Sequence, residues 1–243
     1  MSGGFPRFAA MAAAMLSVGA VFSCKDRKDH VGADLQEAGF QVTAEDWFRA
    51  CREGNVEVMK KFLSSGFSKD TVDPNGDTSL HIAVMAGQET VADFLLRRGI
   101  AIDVKGAKGR TPLMVAAAAG RSEMVNWLLR QGADPQVKDD DGYKALMISV
   151  RDGSPKAVEQ LAPYDRGDLD NALLLAALLG KANVIDSLTN YGASVYSRME
   201  DGRTPLMIAA ENGHTDAVKL LLDLGASRYT VDGEGKTAAM LAE

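Results

Sequence analysis

Two cysteines, Cys24 and Cys51, are too few for a disulfide framework or a thiolate metal cluster in a chain of 243 residues. Three histidines, His30, His81 and His214, stand far apart along the chain, whereas metal sites need clustered ligands. No metal and no cofactor is therefore expected. Aromatic residues make up only 6%, too few for a typical sandwich core or a base-stacking platform. Positive charge is also short. Lys and Arg number 27 against 33 Asp and Glu, a formal net charge of −6. No run of basic residues offsets it, so nucleic acid is excluded as a partner. No GxSxG, P-loop, GxGxxG after a strand or HExxH occurs. No catalytic residue is assigned, and the chain reads as a non-enzyme. With 46% hydrophobic and 25% charged residues, what remains is an ordinary soluble fold rather than a disordered chain.

From Phe8 to Phe22 run fifteen residues with no charge, preceded by Arg7. It is short of the roughly 20 residues of a membrane span and fits the apolar core of an export signal. It ends Val21-Phe22-Ser23-Cys24 and turns abruptly charged at Lys25-Asp26-Arg27-Lys28. These residues resemble the lipobox of bacterial lipoproteins. The resemblance implies removal of residues 1–23, lipid attachment at Cys24 and residence in the cell envelope, in the periplasm or at the outer membrane. Cleavage near Ser23 without a lipid, giving a soluble secreted or periplasmic protein, is the alternative. Residues 24–40 are polar without clear helical periodicity and read as a tether to a folded domain over 41–243.

Beyond residue 40 the chain repeats. Gly54, Gly87, Gly120 and Gly153 stand 33 apart, as do Gly180 and Gly213, but the step from 153 to 180 is 27. A second series runs Gly66, Gly99, Gly132, then Gly192 and Gly225. Pairs such as Leu95-Leu96, Leu128-Leu129 and Leu221-Leu222 precede the second glycine in phase. The fullest units read Gly109-Arg110-Thr111-Pro112-Leu113-Met114 and Gly202-Arg203-Thr204-Pro205-Leu206-Met207, with Thr78-Ser79-Leu80-His81 earlier. These resemble the ankyrin repeat in period and signature. The resemblance implies an all-α solenoid of helix-turn-helix units joined by β-turn fingers. About six repeats and a partial C-terminal one fit. It also implies a non-catalytic role in protein recognition, with His81 and His214 tying the fold together. The sequence does not name the partner, and the module reads as a monomer. A soluble regulator or inhibitor of an envelope enzyme, or a structural spacer, would share the same sequence features.

The fourth unit departs from the pattern. Lys144-Ala145-Leu146 replaces Thr-Pro-Leu, and the connection from Asp165 to Asn171 is six residues where others have twelve. The finger between units four and five should be shortened or missing, and this interface should be the weakest of the stack. Arg166-Gly167-Asp168 matches a tripeptide of adhesion ligands over only three residues.

In this frame the two residues before each first-helix glycine should line a concave row. They include Arg52, Met85, Arg151, Asp152, Leu178, Leu179, Glu211 and Asn212. Leu178 and Leu179 are apolar among polar neighbours. They read either as a contact site or as filling for the space of the missing finger. On the fingers, Lys108, Arg110, Tyr143 and Arg203 have residue types suited to hot spots or to steering an acidic partner. Cys51 reads as a small core residue.

Overall fold

A threonine starts each well-formed repeat and a glycine stops its first helix. The Thr111 hydroxyl accepts the Met114 N–H and the Thr204 hydroxyl the Met207 N–H, both at 3.4 Å. Pro112 and Pro205 take the first helical position, where a missing N–H costs nothing. In the computed structural model, which describes residues 24–152 and 154–242, these rules give six helix pairs. They are α2 (Ala44–Glu53) with α3 (Val56–Ser64), α4 (Ser79–Ala86) with α5 (Glu89–Arg97), and α6 (Pro112–Ala118) with α7 (Ser122–Arg130). Then come α8 (Ala145–Asp152) with α9 (Pro155–Leu161), α10 (Leu169–Leu178) with α11 (Ala182–Asn190), and α12 (Pro205–Glu211) with α13 (Thr215–Asp223). Before them stands α1 (Cys24–Glu37), and after them α14 (Ala238–Leu241). No strand occurs among the described residues. Isolated bridges from Val72 to Thr78 and from Val231 to Thr237 close two of the fingers.

Two buried rows hold the stack together. Small residues on the first helices, Ala50, Ala83, Ala116, Ser149, Ala176 and Ala209, are fully buried and let neighbouring units meet closely. On the second helices Phe62, Leu95, Leu128, Leu161, Leu188 and Leu221 form the matching apolar row. No unit could bury both rows alone, so stability comes from stacking.

The histidine position shows how one geometry serves two residue types. His81 accepts at Nδ1 from Thr78 and donates from Nε2 to the Arg110 carbonyl at 2.9 Å. Burial lowers its pKa. Where methionine stands instead, Met114 and Met207 take the Thr111 and Thr204 N–H groups on sulfur at 3.4 Å. The cap survives but the bond to the next finger is lost. Cys51 is fully buried and desolvation pushes its thiol up to about 12, consistent with an inert core residue.

The stretch 24–40 differs from its reading as a tether. It is helical from Cys24 to Glu37, and its second half docks against α3. Leu35 is fully buried, Phe40 is buried, and Val31 packs partly against the same core. The Arg49 guanidinium lies over the Phe40 ring at 4.1 Å. Val31 and Leu35, four residues apart, are a narrow stripe in a charged helix, enough to cap the first unit but too little to show as periodicity. The predicted signal, residues 1–23, lies outside the described residues, as does Gly153.

Between units four and five no finger forms. Two single 3-10 turns, Ala162–Tyr164 and Arg166–Asp168, replace it. Lys144 stands 33 residues after Thr111, at the position that caps other units. Its ammonium donates to Asp165 at 2.8 Å and to Asp168 at 2.6 Å. The residues that break the motif are therefore those that clasp the short connection. The adhesion-like tripeptide is absorbed in this turn.

One glycine carries both a backbone and a packing demand. Gly180 lies at φ +65, and a Cβ there would come within 2.6 Å of the His214 ring, which donates to the Leu178 carbonyl at 2.9 Å. Gly213 lies at φ +69 with open space around its Cβ position. Both should lose more than about 1 kcal/mol on replacement by alanine, and Gly180→Ala should melt lower than Gly213→Ala. Equal melting temperatures would assign the whole cost to the backbone and none to His214.

Candidate docking groove

Because no finger stands before α10, the inner face of that helix is uncovered. Leu174 and Leu175 are half-buried and Leu178 is 47% exposed. The wall opposite is the finger of the next unit, residues 199–203. In three of the other four fingers this first position is an aspartate that closes its own turn, and in the fourth it is Gly106. Asp73 takes the Asn75 and Asp77 N–H groups at 2.9 and 2.8 Å. Asp139 takes those of Asp141 and Tyr143, and Asp232 those of Glu234 and Lys236. Here the position is Met199, an exposed thioether aimed at the vacant place. Asp201 closes this turn instead, accepting the Arg203 N–H at 3.0 Å.

The result is a groove of about 800 Å³. Leu174, Leu175, Leu178, Ile208 and Met199 supply its apolar surface, and Arg198, Glu200, Asp201, Arg203 and Glu211 its rim. The Arg203 guanidinium is held between Asp201 at 2.7 Å and Glu211 at 2.6 Å. The Arg203 N–H and side chain hold the Asp201 carboxyl below the usual carboxylate range. Arg198 donates to the carbonyls of Gly202 and Val231, both at 3.2 Å.

Of the residues singled out in the sequence, Leu178, Arg203 and Glu211 meet in this groove. Asn212 lies beside it, exposed, with its amide on the Ile208 carbonyl. Leu179 is half-buried at the end of α10. Arg52 and Met85 are exposed farther along the row, and Arg151 and Asp152 pair with each other at 3.2 Å. Lys108 and Tyr143 are exposed on their fingers. Arg110 turns inward, with Nε 3.6 Å from the fully buried Asp139 carboxylate. That separation makes an ion pair and no hydrogen bond, and it commits Arg110 to finger packing.

The concave row has a second duty. The carbonyls of Arg52, Met85 and Leu178 accept from Gln88, Arg121 and His214, each 36 residues on. Side chains at these positions are thus presented by a backbone tied to the next unit. Sequence reasoning missed Leu174, Leu175, Arg198, Met199, Glu200 and Ile208. The available signal was the pairing of the six-residue deletion with a methionine at the finger-aspartate position. Among the described residues no group of three or more His, Cys, Asp or Glu is placed to hold a metal ion, and no helix is long and apolar enough to cross a membrane.

The family model for ankyrin repeats, three copies, matches over residues 47–139, 123–199 and 173–243. An ankyrin repeat-containing protein of Treponema pallidum (strain Nichols) is 33% identical over 64 residues. That match covers 26% of this chain and only 22% of the relative's length. Among solved structures, the human ASB11 ankyrin repeat domain is similar with a TM-score of 0.66 and 27% identity, over 81% of this chain and 91% of that one. The ankyrin repeat domain of Bcl-3, described as a unique member of the IkappaB family, aligns with a TM-score of 0.67 and 23% identity, over 81% and 93% of the two chains. The latter likeness concerns the fold alone.

Proposed function

Since the chain belongs to the ankyrin-repeat family, we propose that it is a non-catalytic protein-binding module whose partner docks in the groove over α10, and that a lipid on Cys24 holds it at an envelope membrane. The observation that carries the docking site is the uncovered apolar face of α10 facing Met199, with Leu178, Arg203 and Glu211 converging there. Exposed apolar side chains ringed by charge are the usual makeup of a contact surface.

Leu178→Ser should keep the helical circular dichroism and lose partner recovery from envelope extracts by about 30-fold, the scale of a central hot spot. Tyr143→Ala combined with Arg151→Ala, outside the groove, should lose less. Recovery at wild-type yield by Leu178→Ser would remove the groove from the reading.

The lipid is supported by Val21-Phe22-Ser23-Cys24 and the charged residues that follow. Cys24→Ser should move the protein from the detergent-extracted membrane fraction to a soluble or unprocessed form. Several acyl chains suffice for stable attachment, because each buried CH₂ contributes about 0.8 kcal/mol. An unmodified mature N-terminus by mass spectrometry would end the lipid reading and leave the groove untouched.

A further inference from the structure

The fingers of this array are joined by hydrogen bonds that run from each one back to its predecessor. The Ala107 N–H reaches Asp77 Oδ1 at 2.9 Å, the Asp140 N–H the Lys108 carbonyl at 3.1 Å, and the Gly233 N–H the Asp201 carbonyl at 2.8 Å. The contacts are close. A Cβ on Gly233 would lie 2.9 Å from the Asp201 carbonyl, and one on Gly109 would strike Asp140. Glu200 holds the same register as Ala107, Asp140 and Gly233, and Asp141 the same register as Lys108 and Asp201. With the intervening finger missing, the Glu200 N–H and the Asp141 carbonyl have no partner among the described residues. The ladder is broken at one rung on each side of α10.

The charges at the break are lopsided. Three carboxylates, Glu200, Asp201 and Glu211, face two guanidiniums. Arg203 is neutralised by Asp201 and Glu211, and Arg198 is held by two carbonyls. Glu200 is exposed and has no ion-pair partner among the described residues. An occupant therefore meets an apolar floor, an open backbone donor and an unmatched negative charge side by side.

We infer that the groove receives a turn or extended segment of a protein partner that takes the place of the missing finger, setting one bulky apolar side chain on Leu174, Leu175 and Leu178 and a Lys or Arg beside Glu200. A carbonyl of the segment accepts the Glu200 N–H. The inference rests on the binding reading above and adds the chemistry of what binds. Backbone pairing supplies register and the side-chain pocket supplies choice, as in strand-addition modes of peptide recognition.

The test is selection of a random-peptide phage library on the full chain and on four variants: Leu178→Asp, Glu200→Lys, Met85→Ser, and a chain whose finger is restored by inserting the six residues that the connection lacks. Melting curves check that each variant folds. Wild type should enrich peptides with an aliphatic or aromatic residue near Lys or Arg. Leu178→Asp and the finger-restored chain should lose their binding by about tenfold or more, and Glu200→Lys should turn the selection toward acidic neighbours. No enrichment, acidic peptides on wild type, or undiminished binding to the finger-restored chain would overturn the inference. If peptides instead respond to Met85→Ser and not to Leu178→Asp, the occupant assigned to this gap is wrong while concave-face docking stands. If neither change matters, both fall.

Discussion

Replacing Lys144 by methionine should lower the unfolding free energy by about 3 kcal/mol, near the lower end of what removing one partner of a buried ion pair costs. The Lys144 side chain is 15% exposed, that of Asp165 5% and that of Asp168 33%. Methionine keeps much of the apolar stem and leaves the Asp165 carboxylate buried without its cation. Urea denaturation measures the loss, and amide exchange locates it. Residues 155–172 should exchange much faster in the variant, with 110–130 little changed, because coupling in a repeat array is local. A loss below about 0.5 kcal/mol, the scale of an exposed pair, would mean that the clasp contributes nothing.

The pH dependence of the clasp has a definite sign on each side. Lys144 holds the Asp168 carboxyl below its ordinary value of 3.8. That contribution is complete above the ordinary value and disappears as acid takes the pH through the lowered one. The hydrogen bonds to Asp165 and Asp168 raise Lys144 above its ordinary 10.5. Its contribution is complete below that value and is lost as base passes the raised one. Between these limits the clasp should add a constant amount to stability, and Lys144→Met should remove the steepening at both ends.

Trp47→Ala should cost about 4 kcal/mol, in the range of large aromatic deletions from a core. Trp47 is fully buried, with ring centroids 5.7 Å from Phe62 and 5.4 Å from Phe67. Phe62 also meets Phe67 at 5.4 Å and Phe40 at 6.5 Å. In a chain with so few aromatics, this cluster is concentrated in the first unit, where α1 docks. Truncation should loosen α1 to α3 and leave α12 and α13 protected, which proteolysis of the native protein would show as early cleavage before residue 70. Trp47→Phe should recover much of the loss, since the buried indole N–H has no hydrogen-bond partner among the described residues. Unfolding of the whole array as one unit in Trp47→Ala would contradict nearest-neighbour behaviour.

The helices and their limits were readable because glycine, threonine and alanine answer local demands. Gly54, Gly87 and Gly120 take positive φ at the ends of first helices, and the alanine row follows from how closely units approach. The absent finger was legible as a count, 27 in place of 33. Its consequence was not, because Lys144 looked like a damaged motif until Asp165 and Asp168 came within reach of it. Arg110 shows the opposite error. Its residue type suits a binding surface, but only the fold reveals Asp139 buried beneath it. Residues 24–40 escaped because two apolar side chains in a charged helix acquire meaning only when a neighbour offers a cavity for Leu35.

The interrupted ladder also makes the array mechanically uneven. Along the helical edge, buried rows run without a break from unit to unit, while along the finger edge the backbone links stop at Asp140 and resume at Asp201. A beam notched on one side bends most easily at the notch. Curvature of this solenoid should therefore vary chiefly about α10, and a segment lodged in the gap would act as a wedge that fixes the angle between the first four units and the last.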